Sequence, residues 1–187
     1  VGAMVQIMGK DSGAKPLQSN SEGIASLDGL SLGEYSYFIM EPARGMNQPS
    51  KMGKVNIESA KEHVVEVRLG EGVKVSGVIT GIEPPSSGQY MIALRPLDSP
   101  KLEEAGFKTI QDFISFVGSL PAFGSVRADL KYKMADVEAG TYMLEVYSDI
   151  GESLFKQEAE PVLVFYRKKI KIGKKDIELE IKAKQPK

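Results

Sequence analysis

Leu30-Ser-Leu-Gly33-Glu-Tyr35-Ser-Tyr-Phe-Ile39 and Val137-Glu-Ala-Gly140-Thr-Tyr142-Met-Leu-Glu-Val146 carry one order of residues: an apolar residue, a short spacer, Gly, one polar residue, Tyr, and then a run of strand-forming side chains. A Gly at that point allows a backbone bend that a Cβ resists, and the alternation after it describes a strand with one buried face. Repetition of this phrase within 187 residues predicts two copies of one β module rather than a single large domain.

Working outward from the first phrase, strands are expected over residues 3–8, 23–27, 34–40, 54–58 and 64–69, punctuated by Asp11-Ser-Gly13, Asp28-Gly29 and Pro42-Ala-Arg-Gly45. Val65, Val67 and Leu69 alternate with Glu66 and Arg68, so the last of these reads as a strand with one wet face. Gly70-Glu-Gly72 closes the half as a linker short enough to restrict how the modules sit. In the second half, strands are expected over 73–79, 90–94, 126–134, the repeated phrase, 162–166, 169–172 and 177–181, with Ile177, Leu179 and Ile181 on one face as Val65, Val67 and Leu69 are. The chain opens on Val1-Gly-Ala-Met4 in what reads as mid-strand, so an earlier strand or targeting segment is expected upstream.

Residues 100–123 interrupt the β pattern. Ser99-Pro100 has the form of an N-cap followed by a first-turn proline, Thr109-Ile-Gln-Asp112 fits a capping box, and Gly118 is placed to end the turn. Phe107, Phe113, Phe116 and Phe123 make this expected helical insertion the candidate partner-binding site; the plainer expectation is that it covers an edge or end of the second sandwich.

Composition excludes several functions. Cysteine is absent, which removes disulfides and thiolate chemistry, and a net charge of −1 leaves no basic field for nucleic acid. No apolar run approaches the roughly 20 residues of a membrane-spanning helix. His63 is the sole histidine, so zinc sites of the common types and a Ser/His/Asp triad lack partners. Glu103-Glu104 cannot flank one glycosidic bond, because adjacent helical residues point apart. Asp11, Asp28, Asp98, Asp136 and Asp149 fall in or near turns without calcium-loop spacing. Arg167-Lys-Lys-Ile-Lys171-Ile-Gly-Lys-Lys175 reads as a strand with a basic wet face and an aggregation-resistant edge. No enzyme activity, cofactor or metal is expected.

The succession of Gly23-Ile24-Ala25, Leu30 to Tyr35, residues 64–69 and Gly72-Val-Lys-Val-Ser-Gly77-Val-Ile79 resembles tandem carboxypeptidase regulatory-like domains, which are transthyretin-like (prealbumin-like) sandwiches. The resemblance implies an all-β fold of two tandem Greek-key sandwiches, residues 1–70 and 73–187. Ala3-Met-Val-Gln-Ile7 matches the family's second strand, so the first module would lack its first. The resemblance further implies an extracytoplasmic location (periplasmic, cell-surface or secreted) and a non-catalytic spacing or binding role toward a protein or polysaccharide. Related adhesin repeats carry a Lys–Asn cross-link assisted by an acid four residues after the Tyr. Ile39 and Val146 stand there, and neither 64–69 nor 177–181 contains Asn, so no cross-link is expected.

Overall fold

The computed structural model describes residues 2–9, 15–41, 50–85, 89–104, 110–148 and 163–185. Strands β1 (Met4–Gly9), β2 (Lys15–Gln18), β3 (Gly33–Met40) and β4 (Lys51–Ile57) form one antiparallel sheet in the order β2-β1-β3-β4. The second half contributes β5 (Val73–Thr80), β6 (Tyr90–Pro96), β7 (Ala122–Val126), β8 (Lys131–Val137), β9 (Gly140–Tyr147), β10 (Val164–Ile172) and β11 (Ile177–Lys182). These make a four-stranded sheet, β10-β9-β6-β7, and a three-stranded sheet, β11-β5-β8, in which β5 is central, antiparallel to β8 and parallel to β11. The all-β class is as the alternation implies, with one short helix, α1 (Ile110–Gly118), in the second half.

The second half is a two-sheet sandwich. Val75 and Ile79 of β5, Tyr132 and Met134 of β8 and Ile181 of β11 meet Ile92, Leu94, Leu144, Val146 and Ile172 of the facing sheet in one buried cluster. Removing each such side chain from water stabilises the fold by about 1.5–3 kcal/mol. Gly77 of β5 is sterically required: a Cβ there would lie 1.9 Å from the Leu179 carbonyl oxygen, and the Tyr132 hydroxyl donates across the same point to that oxygen at 3.0 Å. β6 reads Tyr-Met-Ile-Ala-Leu-Arg and is buried on both faces, because its sheet is covered by β11-β5-β8 on one side and by α1 on the other.

The repeated phrase marks equivalent strands. β3 and β9 are both third along their sheets, and β2-β1-β3-β4 has the same arrangement as β7-β6-β9-β10. The Tyr35 hydroxyl donates to the carbonyl of Ser31 at 3.0 Å, and the Tyr142 hydroxyl to that of Glu138 at 3.1 Å, four residues back in each copy. This bond fastens the strand entry to the segment before it, which is why Tyr recurs two residues after Gly.

The halves differ in what faces that common sheet. Residues 23–27 and 64–69 belong to no strand, contrary to the expectation from their alternation. Aligning the two phrases sets Leu27 and Leu30 against Met134 and Val137 of β8, while Val67 and Leu69 correspond to Leu179 and Ile181 of β11. In the second half β8 and β11 each pair with β5 and not with each other. No described residue before the linker supplies a central strand, so the two flanking segments have no ladder to join. Their inward residues Ala25, Leu27, Leu30, Val67 and Leu69 are nonetheless half-buried while Ser26, Glu66 and Arg68 are exposed, so the face pattern survives without the hydrogen bonds.

Further differences are local. β2 was not expected, since Pro16 interrupts its pattern; it is an edge strand, where proline is tolerated. The expected insertion 100–123 resolves into a 3-10 turn, Leu102–Glu104, then α1, then β7, so Phe123 lies on a strand. The strand expected over 126–134 is divided by a turn in which Leu130 adopts φ 54° and donates its N–H to Arg127, leaving β7 and β8 on different sheets. Residues 164–172 form one continuous strand with an irregularity between Val164 and Tyr166. The turns at Asp11-Ser-Gly13 and Pro42–Gly45 lie outside the described residues, as does Thr109 of the capping box.

Candidate functional site

Among the described residues, two groups of coordinated polar side chains lie where the halves meet, and a third lies within the second half. The first part is a clamp on the linker. The register between β5 and β8 shifts between Val73 and Val75, and within that irregularity Asp136 adopts φ 55° and is 2 % exposed. This strained backbone aims its carboxylate at the linker, where Oδ2 accepts the Gly70 N–H at 2.8 Å and Oδ1 the Gly72 N–H at 3.2 Å. A Cβ on Gly72 would lie 2.2 Å from the Asp136 carbonyl carbon, so only Gly allows this approach.

Beside the clamp lies a cleft of about 730 Å³, walled by Tyr37 and Lys51 of the first sheet, Val67 and Arg68 before the linker, and Glu138 and Lys174 from turns of the second half. Lys51 Nζ reaches Glu138 Oε1 at 2.7 Å across it. Arg68 pairs with Glu66 at 3.1 Å and with Glu71 at 3.9 Å. Tyr37 lies over Gly53, its cross-strand partner, where a Cβ would come within 2.3 Å of the tyrosine oxygen. Burial raises the Tyr37 phenol, and Lys51 opposes that shift.

The third part is a buried ion cluster on the outer face of β9. Glu145, 0 % exposed, accepts from Arg95 Nε at 3.0 Å and Nη2 at 3.2 Å, and also from Arg167 and the Tyr147 hydroxyl. Arg95 continues to the carbonyls of Pro96 and Ser99, and Arg167 Nη2 to Glu103 at 2.7 Å. Burial by itself would raise the Glu145 carboxyl; the bonds from Arg95, Tyr147 and Arg167 outweigh it and hold the group below its ordinary value. The bond to Glu145 raises the Arg95 guanidinium, and burial followed by Glu145 raises the Tyr147 phenol. Two arginines balance two glutamates, and both oxygens of Glu145 are occupied. The arrangement ties the loop after β6 to β9 and β10; its carboxylate is ionised and engaged, unlike a base awaiting a substrate proton.

A hydrophobic layer completes the junction. Met91, Ala93 and Tyr147 of the second half pack with Leu102, Val117 and Leu120, and Phe38 and Met52 of the first sheet join them. Among the candidate partner-binding residues, Phe113, Phe116 and Phe123 are half-buried against this layer. Phe107 lies outside the described residues. The end of α1 abuts β3 so closely that a Cβ on Gly118 would lie 2.8 Å from Ser36 Oγ. Ser115 Oγ also donates to Glu34 at 3.3 Å.

His63 is exposed, with Nε2 3.2 Å from the Ser59 carbonyl oxygen. Glu103 and Glu104 serve separate ion pairs, with Arg167 and Lys101. Lys168, Lys169 and Lys171 are exposed on β10, an edge strand, while Ile172 is buried beneath them. No group of three potential metal-ligating side chains occurs among the described residues, and no described helix is long and apolar enough to cross a membrane. Sequence reasoning missed Glu145 and Arg95, and it read Asp136 as a turn residue, whereas Asp136 lies in β8 at a register irregularity. A charge inside an otherwise apolar strand, as in Met143-Leu-Glu145-Val146, was the available signal for the first.

No protein-family model matches the chain, and no curated protein matches it by sequence. Among solved structures, the TIE protein of Bacillus anthracis aligns over 98 % of this chain and 31 % of its own length, at 14 % identity and a TM-score of 0.31. GBS52, the minor pilin of the Gram-positive pathogen Streptococcus agalactiae, aligns over 100 % of this chain and 85 % of its own, at 12 % identity and a TM-score of 0.32. The chain thus spans about a third of the TIE protein.

Proposed function

We propose that this chain is a non-enzymatic, extracytoplasmic spacer and binding module within a larger envelope or secreted protein, its two modules being residues 1–70 and 73–187. The supporting observation is the junction. Asp136 fastens the linker, Lys51 meets Glu138, and α1 lies between the first sheet and the outer face of β9 and β6, so three independent contacts oppose hinge motion. Rigidity between modules is what a spacer requires. The groups that would otherwise invite a catalytic reading, Glu145, Arg95 and Asp136, are engaged in holding chain segments together. The extracytoplasmic assignment rests on the family resemblance in the sequence. A protein partner is the favoured ligand class, with polysaccharide as the alternative.

The absence of cysteine makes the test direct. Lys15→Cys and Lys184→Cys, both at exposed positions, place a dye on each module. Single-molecule energy transfer is expected to give one narrow distance distribution that Asp136→Ala broadens. A broad distribution in the parent chain contradicts the spacer, and turnover of peptide, ester or glycoside libraries that is lost on changing one residue contradicts the non-enzymatic reading.

A further inference from the structure

Strands β10 and β11 are each the edge of their sheet and border the same side of the second sandwich. Residues 173–176 join Ile172 to Ile177, and at the far end Lys184 donates its N–H to the Phe165 carbonyl at 3.0 Å, an equal number of residues along each strand. The two strands therefore run level and in opposite directions. Their outward residues carry opposite charge. Arg167 meets Glu145 on the outer face of β9, so Lys169 and Lys171, at alternate positions, share that face, and both are exposed. Ile177, Leu179 and Ile181 turn toward the core, which leaves Glu178 and Glu180 exposed on the outer face of the other sheet. These two faces look away from one another, and none of the four side chains forms an ion pair with a described residue. The apolar border between them is incompletely covered: Ile170, Ile177 and Leu179 are half-buried, while Ile172 and Ile181 are 1 % exposed.

We propose that this border docks a second copy of the chain about a two-fold axis parallel to the strands. Such an axis sets β10 of each copy against β11 of the other and continues both sheets across the contact as antiparallel ladders. The level of the strands fixes the register. Lys171 faces Glu178 and Lys169 faces Glu180 on the outer face, while Ile170 faces Leu179 and Ile172 faces Ile177 on the inner one. Opposite charges thus fall in direct cross-strand pairs, and the half-buried apolar side chains cover each other. Arg167 comes opposite Lys182, but its charge is already balanced by Glu103 and Glu145. The other two-fold arrangement, β10 on β10, sets lysine against lysine. The lysines that keep this edge from pairing with itself therefore select the acidic edge of β11. Short ladders make a small interface, so the dimer is weak, forms as concentration rises and loosens with salt.

This goes beyond the spacer reading, which concerns a single chain and is tested on single molecules, so the two fail separately. Sedimentation velocity of the full chain at rising concentration is expected to show a monomer–dimer equilibrium. Two charge-reversed chains are compared with it, one carrying Lys169→Glu and Lys171→Glu, the other Glu178→Lys and Glu180→Lys. Each sets like charges together in both ladders and is expected to dimerise roughly tenfold or more weakly than the parent. An equimolar mixture restores attraction in both ladders and is expected to dimerise as the parent does. A parent that stays monomeric, a reversed chain that dimerises like the parent, or a mixture no better than its components overturns the proposal. Register is read separately and without charge reversal, in a chain with no other cysteine, by mixing Lys169→Cys and Glu180→Cys chains under mild oxidation. A disulfide between unlike chains is expected. Its absence overturns the proposal, as does equal cross-linking of Lys169→Cys with itself, which would indicate β10 on β10.

Discussion

Asp136 of β8 holds Gly72 of the Gly70-Glu-Gly72 linker: its carboxylate accepts the Gly72 N–H at 3.2 Å and the Gly70 N–H at 2.8 Å. One buried side chain of the second half thereby satisfies two backbone donors that the linker's turn leaves without ladder partners. Asp136→Ala removes both bonds and is expected to cost about 1–3 kcal/mol, because the donors stay partly buried. Asp136→Asn keeps an accepting oxygen and is expected to cost less. Denaturant unfolding, with amide exchange at Gly70 and Gly72, checks both; equal stability of Asp136→Ala and parent would contradict the clamp.

Glu145→Gln strands Arg95, which is 4 % exposed, without its countercharge. Breaking a buried pair from one side costs about 3–5 kcal/mol, well above what an exposed pair such as Lys51–Glu138 contributes, about 0–1 kcal/mol. The expected order in thermal unfolding is therefore Glu145→Gln far below Glu138→Gln, which should lie near the parent.

The same carboxylate sets an acid dependence. Glu145 titrates below its ordinary value of 4.5 in the folded chain, so the folded state releases its proton more readily than the unfolded state. Its contribution to stability is fully present above about pH 4.5 and is lost as pH falls through the lower folded value. Urea midpoints measured from pH 7 down to pH 3 should fall less steeply in Glu145→Gln than in the parent.

Gly77→Ala drives a methyl group against the Leu179 carbonyl and should disrupt the β5–β11 ladder, with destabilisation of the order of 3 kcal/mol. Tyr132→Phe loses only the hydroxyl bond across that glycine, about 1 kcal/mol. Burial, with Tyr166 and Glu178 nearby, pushes the Tyr132 phenol up to about 12. A raised phenol stabilises the fold below pH 10 and loses that contribution as pH rises through about 12. An ultraviolet titration should accordingly lose one late-ionising tyrosine in Tyr132→Phe.

Tyr35→Phe and Tyr142→Phe test whether the repeated phrase does the same physical task twice. Each removes one bond to a carbonyl four residues back and should cost about 0.5–1.5 kcal/mol, with equal effects within that range. A loss at Tyr142 with none at Tyr35 would separate the two copies.

Much of this was legible in the sequence, because alternation and glycine report directly on which face of a strand is buried. The Gly-x-Tyr phrase located β3 and β9, and Ile177, Leu179 and Ile181 announced β11. The same alternation misled at Val65, Val67 and Leu69: it encodes a face, while a strand also needs a neighbour, and the neighbour β11 finds in β5 has no counterpart among the described residues of the first half. Phe113 and Phe116 read as a surface because nothing local to α1 shows that Phe38 and Met52, far earlier in the chain, lie against them. Glu145 escaped notice for the same reason, since Arg95 and Arg167 reach it only through sheet pairing.

The central claim is that both halves carry one sheet design and that the three-stranded cover is complete only over the second. Residue-resolved amide hydrogen exchange on the unaltered chain tests it most directly. The account predicts slow exchange through Val75–Ile79 and in β11, together with exchange near the unprotected rate over residues 25–27 and 64–69. Comparable protection of those two segments and of β8 and β11 would contradict it.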